Sequence, residues 1–311
     1  MAFLMVLAGF VLLFFSGNWL VKASVQIARH FKISTLVAGI TVVAFGTSAP
    51  ELIVSLNAVF DGVPDISVGN VIGSNIANIA LVLGMVALIM PISVKKDSSV
   101  FFDWLIMLIA SLLFLLFVQN HKLELYEGIL FMVFISLYLF YSVYKSRQKM
   151  GRSGEIILAP DMKMISAIGL LSIAAIGLYF GSELLVKGVI EIAKGFNISE
   201  RVIGISVVAF GTSVPELATS IIAALKKETA ISIGNIIGSN IFNILAILGI
   251  TSILKPIGVS QELISVDIWW MIGVAILLLL TLLPMKRSII TRWEGLIMIC
   301  TYILYMIILF T

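Results

Sequence analysis

The sequence predicts an all-α integral membrane protein with ten transmembrane helices, arranged as two inverted five-helix repeats. Of the 311 residues, 60% are hydrophobic and only 12% are charged, whereas a soluble domain carries about 25% charged residues. Apolar runs of about 20 residues, the length that spans a bilayer, occur ten times. They lie near residues 2–21, 36–60, 66–90, 99–118, 124–144, 163–186, 201–225, 231–254, 264–284 and 292–310.

An internal repeat divides the chain into two halves. Residues 33–84 align with residues 198–249 at a shift of 165 without a gap, and 30 of the 52 positions are identical. This match predicts one five-helix repeat over 1–145, a linker over 146–162 and a second repeat over 163–311. Because five is odd, the second repeat would enter the membrane from the opposite side. Transporters built in this way bind their substrate near the midplane, where interrupted helices from both halves meet.

The distribution of basic residues predicts the orientation in the membrane. Ten spans put both termini on one side, and the loops on the other side hold 15 of the 20 Lys and Arg residues. The positive-inside rule therefore makes the linker cytoplasmic and both termini external. The linker, rich in Gly, Ser and charge, is expected to be solvated and is too short to form a folded domain. The expected location is the plasma (inner) membrane, with lipid as the surrounding partner.

The octets AFGTSAPE (44–51) and AFGTSVPE (209–216) put a proline and a carboxylate inside predicted spans. Proline has no N–H for the carbonyl four residues back, so helices 2 and 7 are expected to be interrupted there, with backbone carbonyls released. A carboxylate in mid-span is costly unless it is paired, and no Lys or Arg within the spans can pair with it. We therefore predict that Glu51 and Glu216 bind cations.

A second polar motif follows each octet, in GNVIGSNIAN (69–78) and GNIIGSNIFN (234–243). Asn70, Ser74 and Asn78 recur at intervals of four and share a helix face, as do Asn235, Ser239 and Asn243. Together with the octets they predict an all-oxygen site, which suits a hard cation such as calcium. The absence of His and Cys from these motifs argues against zinc or copper. The paired glycines at 69, 73, 234 and 238 are expected to permit close helix packing.

The residues alone leave open the role of four asparagines and the class of function. Asn70, Asn75, Asn235 and Asn240 could equally be interhelical hydrogen-bonding residues. Aspartates near predicted loops are expected to be solvated, namely Asp61, Asp65, Asp97, Asp103 and Asp267. The inverted repeat favours transport, but a passive cation channel and an intramembrane hydrolase with two acid–base carboxylates are the alternatives in other classes.

The two copies of GTSxPE with GNxIGSNIxN resemble the two alpha-repeats of the cation/calcium antiporter superfamily. The chain most resembles the prokaryotic sodium/calcium exchanger branch, over nearly its whole length. The resemblance implies a secondary antiporter, not an enzyme, that exchanges sodium for calcium by alternating access, with no cofactor. Helices 1 and 6 would then slide across the remaining bundle. An antiporter of the same fold that couples calcium to protons is the nearest alternative.

The resemblance also implies a role for each site residue. Glu51 and Glu216 would hold calcium with the backbone carbonyls of Thr47 and Thr212. Sodium ions would use the same glutamates with the carbonyls of Ala44 and Ala209 and the hydroxyls of Ser48, Ser74, Ser213 and Ser239. Asn78 and Asn243 would occupy the middle of the site.

One residue departs from some members of that superfamily. Asn243 stands where some microbial and potassium-dependent relatives have Asp, which argues against potassium coupling. Without that third carboxylate, two negative charges remain in the core, enough to neutralise one calcium ion. The linker has no room for the calcium-sensing domain of animal exchangers. No nucleic-acid partner is expected, and the protein is expected to be a monomer.

Overall fold

The protein is an assembly of long apolar helices with two very short β-pairings at its ends. The computed structural model describes residues 1–94, 99–152, 159–196, 211–282 and 289–310. Within those ranges, eight helices are long and apolar enough to cross a membrane, and a ninth span results if a bent pair counts as one. Ten spans are therefore not reached within the described ranges, because the predicted span 201–225 is described only from residue 211 onward.

The first half contains six helical segments and two strands. They are α1 (Ala2–Phe31), the bent pair α2 (Thr35–Thr47) and α3 (Ala49–Phe60), α4 (Pro64–Ile89), β1 (Ile92–Ser93), α5 (Val100–Asn120), β2 (Lys122–Leu123) and α6 (Leu125–Arg152). The second half contains α7 (Met164–Gly195), α8 (Val214–Leu225), α9 (Thr229–Leu254), β3 (Ile257–Gly258), α10 (Leu263–Leu282), β4 (Ile289–Ile290) and α11 (Arg292–Phe310). From α4 and α9 onward, the two halves follow the same order of elements.

The short strands link the halves in an exchanged pattern. β1 pairs antiparallel with β4, with Ile92 opposite Ile290, and β2 pairs with β3, with Leu123 opposite Ile257. β3 is the counterpart of β1 at the shift of 165, and β4 is the counterpart of β2 at a shift of 167. The described fold is otherwise helical, as the sequence predicts, and these two-residue strands form because they follow helix ends and satisfy each other's free backbone groups.

Three helices are longer than the hydropathy pattern predicts: α7 continues to Gly195, past the predicted end at 186, and the other two, α1 and α6, meet polar partners. α1 continues ten residues past the predicted end at 21, and α6 continues to Arg152, so the first seven residues of the predicted linker are helical. Hydrogen bonds to residues distant in the sequence stabilise the added turns of α1 and α6. Arg147 Nε donates to the carbonyl of Phe31 at 2.9 Å, and the backbone N–H of Ser34 donates to Ser146 Oγ at 2.8 Å.

A cluster of polar contacts, here called the clasp, joins the C-terminal end of α1 to the residues just before α7. Asp161 accepts from Arg29 Nη1 at 2.6 Å and from Gln26 Nε2 at 3.2 Å, and its own N–H donates to Gln26 Oε1 at 2.8 Å. His30 Nε2 lies 2.8 Å from the carbonyl of Met162. Hydrogen bonds from Gln26 and Arg29, with the guanidinium charge, hold the pKa of Asp161 below its ordinary value.

The apolar core is divided between two groups of helices. One cluster fills the bundle around α4 and α9, and a separate cluster lies where α1 and α7 pack along each other, around Leu13, Leu20, Leu178 and Leu185. In the most apolar window of α7 only 22% of the residues are buried, against 83% in α9. The α1–α7 pair therefore lies at the periphery, and α4 and α9 lie at the centre.

Candidate cation-binding site

The first octet forms a break between two helices. α2 ends at Thr47 and α3 begins at Ala49 with a bend of 44°, and Pro50 lies in the first turn of α3. Proline suits that position because the N–H groups in the first turn of a helix have no acceptor within the helix, so nothing is lost when one is missing. The predicted interruption of helix 2 is therefore confirmed in the described residues.

The second octet has the same arrangement after the break. Ser213 precedes α8, and Pro215 and Glu216 lie in its first turn, as Pro50 and Glu51 do in α3. The arm before Gly211, including the predicted ligand Ala209, lies outside the described residues. The carbonyl of Gly211, which Pro215 leaves without a helical partner, accepts the hydroxyl of Ser182 at 2.6 Å.

The two octets and the two serine–asparagine motifs meet in one buried cluster. Ser48 Oγ donates to Glu216 Oε1 at 3.1 Å, and Ser239 Oγ donates to the same oxygen at 3.4 Å. Ser74 Oγ lies 3.3 Å from Thr212 Oγ1. Because Ser48 belongs to the first half and Glu216 to the second, the site is shared between the halves.

Both carboxylates are fully shielded from solvent. Glu51 and Glu216 have exposed fractions of 0%, and they lie close enough for their negative charges to repel each other. The ion pairs among the described residues, Arg29–Asp161 and Lys187–Glu183, involve neither glutamate. Two buried carboxylates without a basic partner among the described residues are stabilised by a bound cation or by a proton.

Several oxygen atoms in this cluster are buried and have no hydrogen-bond partner among the residues that the structure describes. They are Glu51 Oε1 and Oε2, Glu216 Oε2, Ser213 Oγ, Asn78 Oδ1 and Asn243 Oδ1. An unpaired buried acceptor costs free energy that a bound ligand can recover. Because all of these atoms are oxygens and five of the six are carboxylate or amide oxygens, the set fits hard cations such as calcium and sodium.

The remaining predicted ligands lie at the same place. Ala44, Thr47 and Ser239 are fully buried, whereas Thr212 is partly exposed. Thr47 Oγ1 lies 3.1 Å from Asn235 Oδ1 and 3.4 Å from Ser239 Oγ. The Ala44 carbonyl accepts the N–H of Ser48 at 2.9 Å and lies 3.3 Å from the hydroxyl of Thr47. Among the described residues no group of three or more His, Cys, Asp or Glu side chains comes together.

Asn70 and Asn235 support the half-helices that carry the glutamates. Asn70 Nδ2 lies 3.2 Å from Ser55 Oγ and 3.3 Å from the carbonyl of Glu51, and Asn235 Nδ2 donates to Ser220 Oγ at 3.0 Å. These bonds connect α4 to α3 and α9 to α8. The interhelical interpretation of these two asparagines is therefore the one that the structure supports.

Two aspartates near predicted loops are buried against tyrosine side chains. Asp103 and Asp267 have exposed fractions of 1% and 8%, so the expectation that they are solvated is wrong. Tyr138 donates to Asp103 and Tyr305 donates to Asp267, each at 2.9 Å. The hydropathy pattern could not reveal this, because the covering tyrosine belongs to the following helix in each half.

Comparison with known proteins gives the same family over both halves. The family model described as sodium/calcium exchanger protein matches residues 1–145 and 166–311. The chain is 38% identical to the putative antiporter CaxA of Alkalimonas amylolytica, over 100% of this chain and 99% of that protein. It is 32% identical to the sodium/calcium exchanger MaX1 of Methanosarcina acetivorans, over 99% and 98% of the two chains.

A solved structure agrees with this assignment. The sodium-calcium exchanger NCX_Mj, soaked with zero Na⁺ and Ca²⁺, is 34% identical and superposes with a TM-score of 0.83, covering 99% of this chain and 98% of that one. The family model, the full-length relatives and the shared fold thus coincide on the two halves that meet at the buried glutamates, and the protein belongs to the sodium/calcium exchanger family.

Proposed function

We propose that this protein is a secondary antiporter that exchanges Na⁺ for Ca²⁺ across the membrane and extrudes calcium. The observation that carries the proposal is the pair of fully buried glutamates, Glu51 and Glu216, one from each half, beside oxygen atoms that have no partner. Two negative charges neutralise one Ca²⁺. The relatives named sodium/calcium exchangers support the same pair of ions.

The proposed ligand set follows the predicted roles. Glu51 and Glu216 bind Ca²⁺ with the carbonyls of Thr47 and Thr212. Na⁺ uses the glutamates with Ala44, Ser48, Ser74, Ala209, Ser213 and Ser239, and Asn78 and Asn243 complete the centre. Support comes from the contacts between halves, such as Ser48 with Glu216, and from the orphan oxygens of Asn78 and Asn243.

The proposed mechanism is alternating access by movement of α1 and α7. Their apolar cluster also contains residues of α2, α8 and α9, such as Val43, Val214 and Ile231, but it is separate from the main core, so the pair can move along the bundle without breaking that core. The clasp at Asp161 joins their ends, so both helices move together. This movement opens one side of the site, and its serine, glutamate and asparagine oxygens then exchange ions with the water on that side.

The proposed topology is that of two inverted five-helix repeats, with external termini and a cytoplasmic linker in the plasma membrane. Contacts between loops support it. Lys255 Nζ donates to the carbonyl of Val59, and the N–H of Ser260 donates to Asp65, at the proposed external end. Thr229 Oγ1 donates to the carbonyl of Ser93 at the other end. Ten alternating spans require these same groupings.

Cysteine labelling tests the orientation. In a Cys300→Ser background, Arg152→Cys introduces one thiol at an exposed position near the linker. A membrane-impermeant maleimide should label it in inside-out vesicles and not in intact cells. Labelling from outside intact cells would reverse the proposed orientation.

Calcium flux in proteoliposomes tests the function. Vesicles loaded with Na⁺ and diluted into Na⁺-free medium should accumulate ⁴⁵Ca²⁺, and vesicles with equal Na⁺ on both sides should not. Accumulation driven by a pH gradient alone would instead identify the proton-coupled alternative. Calcium entry that requires no counter-ion would identify a channel.

A further inference from the structure

Asn75 lies behind the predicted ion ligand Asn243 and has a fixed amide orientation. Its Nδ2 group lies 3.5 Å from Met271 Sδ and 3.3 Å from the backbone carbonyl of Asn240. A thioether sulfur and a carbonyl oxygen only accept hydrogen bonds, so the amino end of Asn75 must face them. Its Oδ1 atom therefore faces Asn243, whose Nδ2 donates to it at 3.1 Å.

The contact with Asn75 determines which atom of the Asn243 amide remains available to the cluster. Since its amino group is used by Asn75, the carbonyl oxygen is the atom that remains for the cluster. That oxygen is buried and has no partner. Asn75 itself is buried, with an exposed fraction of 2%, so solvent does not compete for its hydrogen bonds.

The same relay occurs a second time with the halves exchanged. Asn240 Nδ2 lies 3.5 Å from Met107 Sδ, and Asn78 Nδ2 donates to Asn240 Oδ1 at 3.1 Å. Asn78 Oδ1 is again buried without a partner. Asn75 and Asn240 are equivalent at the shift of 165, as are Asn78 and Asn243. The same pair of hydrogen-bonded asparagines therefore occurs twice, and each pair leaves one buried side-chain oxygen, of Asn243 or Asn78, without a described partner.

We propose that Asn75 and Asn240 are positioning residues, which hold the amides of Asn243 and Asn78 with their oxygens toward the ions. The two ends of an amide have opposite effects on a cation, because the oxygen attracts it and the amino group repels it. Without a fixed partner, either end could face the cavity. This inference rests on the proposed function, and it assigns Asn75 and Asn240 a role that does not require them to touch the ions.

The first test measures calcium affinity in purified protein by equilibrium binding of ⁴⁵Ca²⁺. Asn75→Leu keeps the approximate shape but removes the acceptor for Asn243, and Asn240→Leu does the same for Asn78. Loss of a residue that orients a metal ligand costs about 10- to 100-fold in affinity. We expect each variant to bind Ca²⁺ at least about tenfold more weakly while eluting as wild type in size-exclusion chromatography. Unchanged affinity in both variants would overturn the proposal.

A double-mutant cycle separates positioning from a general packing role. In an Asn243→Ala background, Asn75→Leu should cause no further loss of affinity, because the amide that it orients has been removed. Asn240→Leu in the same background is the matched control and should still cause its full loss, because it acts through Asn78. Equal further losses from both substitutions would show that Asn75 acts on packing and would overturn the proposal.

A second variant covers the case in which the leucine substitutions prevent folding. Met107→Leu keeps a similar apolar volume and removes the sulfur that fixes Asn240. It should weaken Ca²⁺ binding, and this loss should vanish in an Asn78→Ala background. The same loss in both backgrounds, or none in either, would count against the relay.

Failure of the relay is distinguishable from failure of the proposed function. A wild-type protein that neither binds Ca²⁺ nor carries Na⁺-driven flux would overturn both. A wild-type protein that does both, with additive losses in the cycle, would overturn the relay alone.

Discussion

At the scale of single residues, the hydrogen bonds of the two glutamates differ. Glu216 Oε1 accepts from Ser48 and Ser239, whereas neither carboxylate oxygen of Glu51 has a partner. The sequence around the two residues is almost the same, so this difference comes from side-chain arrangement and not from composition. Glu51 therefore offers the more available pair of ligand oxygens, and Glu216 the more firmly oriented one.

Neutralising either glutamate should abolish calcium transport. Glu51→Gln or Glu216→Gln removes half of the negative charge in a site where Coulomb interactions are strong. We expect Na⁺-driven ⁴⁵Ca²⁺ flux to fall to the background of empty vesicles, while the protein still inserts and elutes as wild type. Glu183→Gln is the control, since Glu183 pairs with Lys187 on the exposed side of α7, and its flux should stay near wild type. Near-normal flux in either glutamate variant would contradict the site.

At the scale of elements, the close approach of α9 to α2 depends on glycines. A Cβ atom at Gly238 would lie 2.6 Å from the carbonyl oxygen and 2.7 Å from the Cα of Ile40, and one at Gly234 would lie 2.5 Å from the carbonyl of Leu36. These neighbours are backbone atoms and cannot rotate away. The predicted close packing is confirmed for this pair. The counterpart of Gly39 in the second half, residue 204, lies outside the described residues.

Filling this contact should destabilise the protein. Gly238→Ala should cost about 1–3 kcal/mol, the range for overpacking, and should lower the temperature of unfolding in detergent. Gly273→Ala on α10 is the matched control, because a Cβ there meets no described atom within 4 Å. Equal unfolding temperatures for the two variants would mean that α9 and α2 do not pack as described.

The clasp between α1 and α7 should stabilise the protein in a salt- and pH-dependent way. Asp161→Ala should lower the unfolding temperature slightly, and the difference from wild type should shrink at about 1 M salt because exposed charges are screened. The pKa of Asp161 is lower in the folded protein than its ordinary value of 3.8. The contribution is therefore complete above the pKa of the unfolded state and is lost as the pH falls through the lower, folded value. Thermal unfolding at low and high salt, and at neutral pH and well below pH 3.8, checks the two dependences. A difference that persists unchanged in acid would exclude the carboxylate as its source.

At the scale of the whole molecule, the ratio of exchanged ions sets the charge moved in each cycle. A ratio of three Na⁺ for each Ca²⁺, which the resemblance to sodium/calcium exchangers implies, moves one net charge, because three positive charges cross against two. A membrane potential then contributes about 2.3 kcal/mol per 100 mV for that charge.

Exchange should therefore respond to an imposed potential. In Na⁺-loaded proteoliposomes, exchange of Na⁺ out for Ca²⁺ in should accelerate when valinomycin and K⁺ make the interior positive, because the net charge leaves. It should slow when the interior is negative. A flux that ignores the potential would indicate two Na⁺ per Ca²⁺, and a K⁺ requirement without valinomycin would contradict the interpretation of Asn243.

The sequence by itself determined the membrane class, most of the spans, the internal repeat and the position of the two glutamates within predicted spans. Hydropathy and internal identity are local properties, and each can be read without knowing which helices touch. The break at Pro50 follows for the same reason, since the proline acts on its own helix. The same local reading failed at the ends of α1 and α6, where polar contacts to distant residues extend the helices beyond the apolar run.

Only the tertiary structure decided which atoms face one another. Asp103 and Asp267 are buried because a tyrosine from the next helix covers each. Asn75 and Asn243 are hydrogen-bonded although 168 residues separate them. An amide has two nearly identical ends in shape but opposite ends in charge, and its orientation depends on the groups packed around it. The motif can therefore name the asparagines, but only the folded chain fixes which end of each amide is available to an ion.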